Sequence, residues 1–199
     1  MRLFKTKYNK ESDEHLMKLV RKGDQLAFDE IYSRYAAKLA FYFTRKLKHD
    51  REKGEDFVHD LFAKLIDRPQ LFDTQRTFKT WIYSVANNMC INEYKKMAVR
   101  SNTTNGVAHD LPIADQNKSI DEQVTEKDFK SDLEQVLERL DDKHREVFVM
   151  RHIDGLSVKE VGAIIDVSPG TVKSRLFYAT KKVAQALAQY NPKETTDHE

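Results

Sequence analysis

Glycine, proline and cysteine are scarce in this 199-residue chain, at six, four and one. So few turn-formers leave long helical patterns uninterrupted, and the fold class they predict is all-α. The single cysteine, Cys90, excludes an intramolecular disulfide; at an apolar helical position it is expected to be a small core residue. No hydrophobic run approaches membrane-spanning length, and the opening MRLFKTKYNK lacks the apolar core of a signal peptide, so a reducing cytoplasm is expected. A phosphate-cradling glycine loop, zinc-ligand spacing and a nucleophile–base pair are all missing, which argues against an enzyme, a metal site or a cofactor. Net charge is also small, at +2, so affinity for nucleic acid must come from local patches rather than an overall field. The length allows one large or two small domains.

What the chain has in quantity is helix-boundary signals, densest from Leu156 to Lys182 (LSVKEVGAIIDVSPGTVKSRLFYATKK). Ser157 and Glu160 have the spacing of a capping box, in which the hydroxyl takes an N-terminal amide proton and the carboxylate reaches back to the cap. Val161, Ile164 and Ile165 then give one apolar helical face. Asp166-Val167 is the turn. Ser168-Pro169 starts a second helix, with a hydroxyl cap and a proline where a missing N–H costs nothing. On that helix Val172, Leu176, Ala179 and Val183 face inward, while Thr171, Lys173, Ser174, Arg175 and Tyr178 project outward. From Ser168 to Lys193 the charges are Lys173, Arg175, Lys181, Lys182 and Lys193, with no acid. Small hydroxyl and cationic groups on the first turns of a helix suit the major groove, where they reach base edges and phosphates. A helical hairpin with a solvated basic face is the plainer alternative.

Upstream, Ser12, Asp13 and Glu14 open a helix carrying Leu16, Leu19 and Val20, broken by Gly23-Asp24. A long helix from about Gln25 to Leu47 follows, with Phe28, Ile31, Tyr32, Tyr35, Leu39, Tyr42 and Phe43 on one stripe, a core face. The next runs roughly from Arg51 to Ile66. Phe57, Val58, Leu61, Phe62 and Leu65 are its apolar side, and Glu55, Asp56, His59 and Asp60 lie mostly elsewhere. His59-Asp60 has the residue types of a metal phosphohydrolase pair, but helix neighbours point about 100° apart and no cluster at ligand spacing joins them. A solvated or partner-facing polar face is the better expectation. After Asp67-Arg68-Pro69 and a short loop to Arg76, TFKTWIYSVANNMCINEYKK begins a helix with Phe78, Trp81, Ile82, Val85, Met89 and Ile91 inward. Trp81 reads as a core anchor.

Residues 101–125 are polar and aperiodic, a linker that an extended chain could stretch over roughly 80 Å. Beyond it, Phe129, Leu133, Val136, Leu137 and Leu140 form one amphipathic face. Asp141-Asp142 caps a further helix with Val147, Phe148 and Met150 inward, and His144 and His152 are expected at the surface. The organisation predicted is two small helical domains, 12–100 and 126–190, joined by the linker 101–125.

Family likeness sharpens this. DGLS (Asp154 to Ser157) followed by GTVKSR (Gly170 to Arg175) resembles the promoter-reading helix-turn-helix in the fourth conserved region of bacterial RNA polymerase sigma factors, nearest to the extracytoplasmic-function (group 4) subfamily. Glu55-Asp56-Phe57-Val58-His59-Asp60-Leu61-Phe62 resembles the E-D-x-x-Q-E-x-F helix that docks on the β′ clamp helices of core polymerase, with His59 replacing the glutamine and Asp60 shortening the second acid. The WIYSVANN run resembles F-x-T-W-L-Y-x-I-A-x-N, the part that opens the promoter's −10 element. Asn88 matches the asparagine beside the unstacked base, and Pro69 to Thr77 matches the pocket loop. The likeness covers about 85 residues of the N-terminal part and 60 of the C-terminal part, in the family's order.

The resemblance implies a sigma factor that binds core RNA polymerase at its β′ clamp helices and β flap and directs promoter recognition, melting and transcription initiation. By position, Thr171, Lys173, Ser174, Arg175, Phe177, Tyr178, Lys181 and Lys182 would meet the −35 element. Arg76, Lys79, Asn87, Asn88, Asn92, Lys95 and Lys96 would serve the −10 element, and Glu55, Asp56, His59, Asp60 and Phe62 the polymerase. A base taken out of the duplex needs hydrogen-bonding groups and apolar walls, which asparagine amides and nearby cations can supply. Three of the DNA-facing positions also depart from the pattern: Asn87 stands for a basic residue, Asn92 for an aspartate and Tyr178 for an arginine. The linker would thread toward the polymerase active site, or act as a plain tether. An anti-sigma factor, often membrane-bound in this group, is the further partner implied. The other reading is a free-standing helix-turn-helix regulator with an N-terminal sensing domain.

Overall fold

The computed structural model describes residues 8–47, 50–103 and 126–190. Within them the chain forms eight α-helices and no strand, as the scarcity of turn-formers predicts: α1 (Asp13–Val20), α2 (Gln25–Lys46), α3 (Arg51–Asp67), α4 (Phe78–Thr103), α5 (Glu126–Glu138), α6 (Asp142–Phe148), α7 (Val158–Ile165) and α8 (Pro169–Ala186). They fall into two compact units, one carrying α1–α4 and the other α5, α6, α8 and most of α7. Residues 104–125 of the expected linker lie outside the described residues, and α4 runs through 101–103 before them.

In the first unit α1, α2 and α3 each start on a side-chain cap. The Ser12 hydroxyl accepts from the His15 amide at 3.2 Å, the Asp24 carboxylate from Ala27 at 3.0 Å and the Asp50 carboxylate from Lys53 at 2.9 Å. Between the first two caps Gly23 takes φ +84°, open to glycine at no steric cost. The core is aromatic and aliphatic: Leu16, Ile31, Leu39, Phe43, Leu61, Leu65, Phe72, Phe78 and Ile82 are all fully buried or nearly so. Gly54 lies where α2 and α3 approach closely. A Cβ there would stand 2.4 Å from Thr44 Oγ1 and 2.9 Å from the Thr44 amide nitrogen.

Polar side chains tie this unit together from far apart in sequence. Arg34 donates to Asp13 at 2.6 Å, Glu30 at 2.8 Å and the carbonyls of Tyr8 and Glu11 at 3.0 and 2.8 Å. The Tyr35 hydroxyl donates to the other oxygen of Asp13. Burial first, then that bond, pushes the phenol well above its ordinary range. Lys53 on α3 pairs with Glu93 on α4 at 2.8 Å.

Four inward placements need correcting. Ile91 is exposed, because the inward line of α4 runs Phe78, Ile82, Ala86, Cys90, and Ile91 sits about 100° past it. Trp81 is half-buried at the edge of the core, its ring 5.3 Å from Phe72 and 5.7 Å from Phe78. Tyr32 lays one side on Phe62, with ring centroids 4.7 Å apart, and leaves the other in solvent. Phe129 is exposed apart from an edge contact with Tyr190 at 5.1 Å. Cys90 is buried, as its position predicts.

The second unit packs Leu137, Leu140, Val147, Met150, Leu156, Val161, Val172 and Ala179 into a smaller, aliphatic core. Val149–Ile153 is a π-helical segment closed by bonds such as Asp154 N to Val149 O at 3.0 Å. Val147 and Phe148 at the end of α6 and Val149 and Met150 at the start of this segment are buried in succession. Asp141 stands at the cap position of α6 without a side-chain cap bond; its carboxylate lies 3.3 Å from His144 Nδ1 instead. His144 itself is only partly exposed, since its ring stands 6.0 Å from that of Tyr178.

Candidate nucleic-acid interface

The helix-turn-helix forms by local rules. Ser157 N donates to Glu160 Oε2 at 2.7 Å and Glu160 N to Ser157 Oγ at 3.2 Å, the reciprocal capping box. Asp166 turns the chain in the left-handed region, φ 54°, and Val167 N returns to Gly162 O at 3.0 Å. A Cβ on Gly162 would meet the Val167 carbonyl at 2.7 Å, so the tight turn requires glycine there. Ser168 then caps α8, its hydroxyl accepting from Thr171 N at 3.1 Å, with Pro169 in the first turn.

On α8, Val172, Ala179 and Val183 are buried, while Lys173, Ser174, Phe177, Tyr178, Lys181 and Lys182 are exposed and Thr171 and Arg175 partly so. None of the ion pairs among the described residues involves Lys173, Arg175, Lys181 or Lys182. Phe177 and Tyr178 are 65% and 55% exposed, their rings edge to face at 5.6 Å. Two large aromatics left in water on a basic helix form a surface suited to bases and phosphates, since they offer apolar contact beside cations.

On α4 the structure brings together Asn88, Asn92, Lys95 and Lys96, all exposed and spaced to share one face. Asn87 is set apart from them: it is 6% exposed, and its side-chain carbonyl accepts from the Tyr42 hydroxyl at 3.2 Å. Lys79 is partly exposed on a different side of the helix, and Arg76 is exposed before it, 3.6 Å from Asp73. On α3, Glu55, Asp56, His59 and Asp60 form an exposed polar face, with Glu55 paired to Arg51 at 2.9 Å. Phe62 points the opposite way, 3% exposed and edge-on to Phe28 at 5.9 Å, so it holds the helix in place while the four polar residues face outward.

The stretch before α4 is more built than a short loop. Pro69–Leu71 is a 3-10 turn, Phe72 is fully buried against Phe78 at 5.0 Å, and Asp73 folds the chain back by accepting from Gln75 N at 3.0 Å. Arg21 reaches this stretch from the end of α1, donating to the carbonyls of Pro69 at 3.3 Å, Gln70 at 3.5 Å and Phe72. Glu14, also on α1, accepts from the Phe78 amide at 2.9 Å. Neither residue carries a sequence signal for this, because their partners lie 48 to 64 positions away. Among the described residues no group of three or more His, Cys, Asp or Glu side chains is placed to hold a metal ion, and no helix is long and apolar enough to cross a membrane.

Comparison with known proteins meets this geometry at both units. The Sigma-70 region 2 family matches residues 31–99, and Sigma-70, region 4 matches 130–183. Both basic faces therefore lie on sigma-70 modules in their usual order. The ECF RNA polymerase sigma factor SigW of Bacillus subtilis (strain 168) is 31% identical over 177 residues, covering 86% of this chain and 94% of that protein. The ECF RNA polymerase sigma-E factor of Escherichia coli (strain K12) is 29% identical over 185 residues, covering 86% and 92%. In fold the chain is similar to the sigma factor RpoE of Bartonella quintana, solved with the anti-sigma factor NepR (TM-score 0.60, 23% identity, 81% of this chain and 96% of that one). The chain belongs to the ECF RNA polymerase sigma factors. It acts as a sigma factor, in transcription initiation.

Proposed function

We propose that this sigma factor grips one promoter at two places while core RNA polymerase holds it. The α8 face, with Lys173, Ser174, Arg175 and Phe177 at its centre, reads the −35 element in the major groove. The α4 face of Asn88, Asn92, Lys95 and Lys96 receives the opened −10 strand. The observation that carries this reading is a pair of exposed basic helix faces, one in each unit, each on the matching sigma-70 region. Glu55, Asp56, His59 and Asp60 dock on the β′ clamp helices, and the second unit meets the β flap. The domains are 12–100 and 126–190, and the protein works in the cytoplasm as a subunit, with the reacting groups supplied by the polymerase. An anti-sigma factor is its second partner, a reading supported by the complex in which the Bartonella relative was solved. The match at 31–99 accounts for the N-terminal part that a free-standing regulator would use for sensing.

Reconstitution with bacterial core enzyme and genome-wide mapping of transcription starts tests this. A defined set of starts sharing two spaced elements is expected, and no start above core enzyme alone refutes it. Lys173→Ala should weaken −35 binding with polymerase affinity unchanged, because it removes a groove contact and leaves the fold intact.

A further inference from the structure

Three carbonyls from one short stretch converge on a single guanidinium at the end of α1. Pro69, Gln70 and Phe72 belong to a 3-10 turn and its exit, and the Arg21 guanidinium donates a bond to the oxygen of each. Arginine suits the place because its planar fork can donate several bonds at fixed angles, which lysine cannot. None of the ion pairs among the described residues involves Arg21, so no acid competes for that fork. Seven residues earlier on α1, Glu14 takes the amide proton of Phe78, the first residue of α4. That amide is one of the donors a helix start leaves unpaired, and a carboxylate is the favoured group beside it.

The two contacts therefore bracket one segment. Arg21 fixes where the chain leaves α3, and Glu14 fixes where it enters α4. Phe72 itself is sunk against Phe78 and Trp81, so the backbone from Asp73 to Thr77 is held at both ends. We propose that Arg21 and Glu14 of α1 are positioning residues for the −10 base pocket: they touch no DNA, and they set the loop 69–77 at the distance from Asn88 that one unstacked base requires. This rests on the reading that loop 69–77 forms the wall of that pocket. A site that reads one base tolerates little misplacement, so the brace acts on discrimination more than on stability.

The test uses holoenzyme reconstituted with bacterial core polymerase. The probe is a fluorescent single-stranded oligonucleotide carrying the non-template −10 segment of a promoter found by start mapping, compared with the same strand altered at the unstacked base. Wild type is expected to prefer the native base. Arg21→Ala should lose roughly five- to tenfold of that preference, the scale of one ordinary net hydrogen bond. Arg21→Lys should restore only part of it, since a point charge cannot serve three carbonyls. Glu14→Gln, which keeps an acceptor oxygen, should retain more preference than Glu14→Ala. Hydrogen exchange of the amides from Leu71 to Arg76 should quicken in Arg21→Ala while α2 and α3 keep their protection and core affinity is unchanged. Full base preference in a folded Arg21→Ala protein overturns the inference alone. So does a loss of preference that merely follows a loss of core binding. A wild-type holoenzyme indifferent to the base overturns the −10 reading, and the inference with it.

Discussion

The two units differ in what holds the helix that carries each exposed basic face. In the second unit the interface helix is set by neighbours in sequence: Ser157 with Glu160, Ser168 with Thr171, Gly162 under Val167. Among the described residues its ion pairs, His144–Asp141 and Arg145–Asp142, span three residues each. In the first unit long-range polar pins are added to the local caps: Arg34 to Asp13, Lys53 to Glu93, Arg21 to the loop before α4. A helix that enters an intact groove needs only to start at the right residue. A pocket for one base needs a loop and a helix held at a set separation, and a loop has no ladder of its own to provide that.

That contrast can be broken most forcefully at the glycines. Gly54→Ala should cost about 3 kcal/mol, because Thr44 backbone stands where the methyl would go and neither helix can retreat without opening the core. Urea unfolding should show the loss in the first unit, with amide protection of α8 unchanged. Next is Arg34→Ala, expected to cost about 2 kcal/mol by stranding Asp13 and Glu30. It should release exchange around Ser12 and leave the second unit untouched. Ser168→Ala should cost about 1 kcal/mol, the ordinary value of a helix cap, and the loss should stay within the first turn of α8. An equally wide effect from Ser168→Ala and Arg34→Ala would erase the distinction between the units.

The smallest expected effect is acid-dependent. The bond from Lys53 holds the Glu93 carboxyl below its ordinary range. A depressed folded pKa contributes stability that is present at neutral pH and lost as pH falls through that value. Wild type and Glu93→Gln should therefore differ slightly at neutral pH and converge in acid, as a pH series of urea midpoints would show.

The same division explains what was legible beforehand. Helix starts at Ser12, Ser157 and Ser168 announce themselves because cap and partner lie three residues apart. The exposed face of α8 follows from its period, and so do Glu55, Asp56, His59 and Asp60 on α3. Asn87 reads as a −10 residue alongside Asn88, because adjacent letters carry no sign of which one a distant Tyr42 will claim. Ile91 and Trp81 misled in a related way: hydrophobicity says that a side chain prefers burial, but α4 has more apolar residues than its packed face can take. The π-helical segment at Val149–Ile153 has no letter pattern that announces it. Arg21 and Glu14 read as ordinary charges on an ordinary helix.

Trp81 is the one tryptophan in the chain, and its indole rests on Phe72, the residue that ties down the loop before α4. The protein thus carries its own light source at the spot where a promoter is expected to open. Lifting Phe72 would leave the indole wetter and shift its glow toward the red, so the timing of each engagement could be followed on unlabelled sigma factor mixed with polymerase of known background emission.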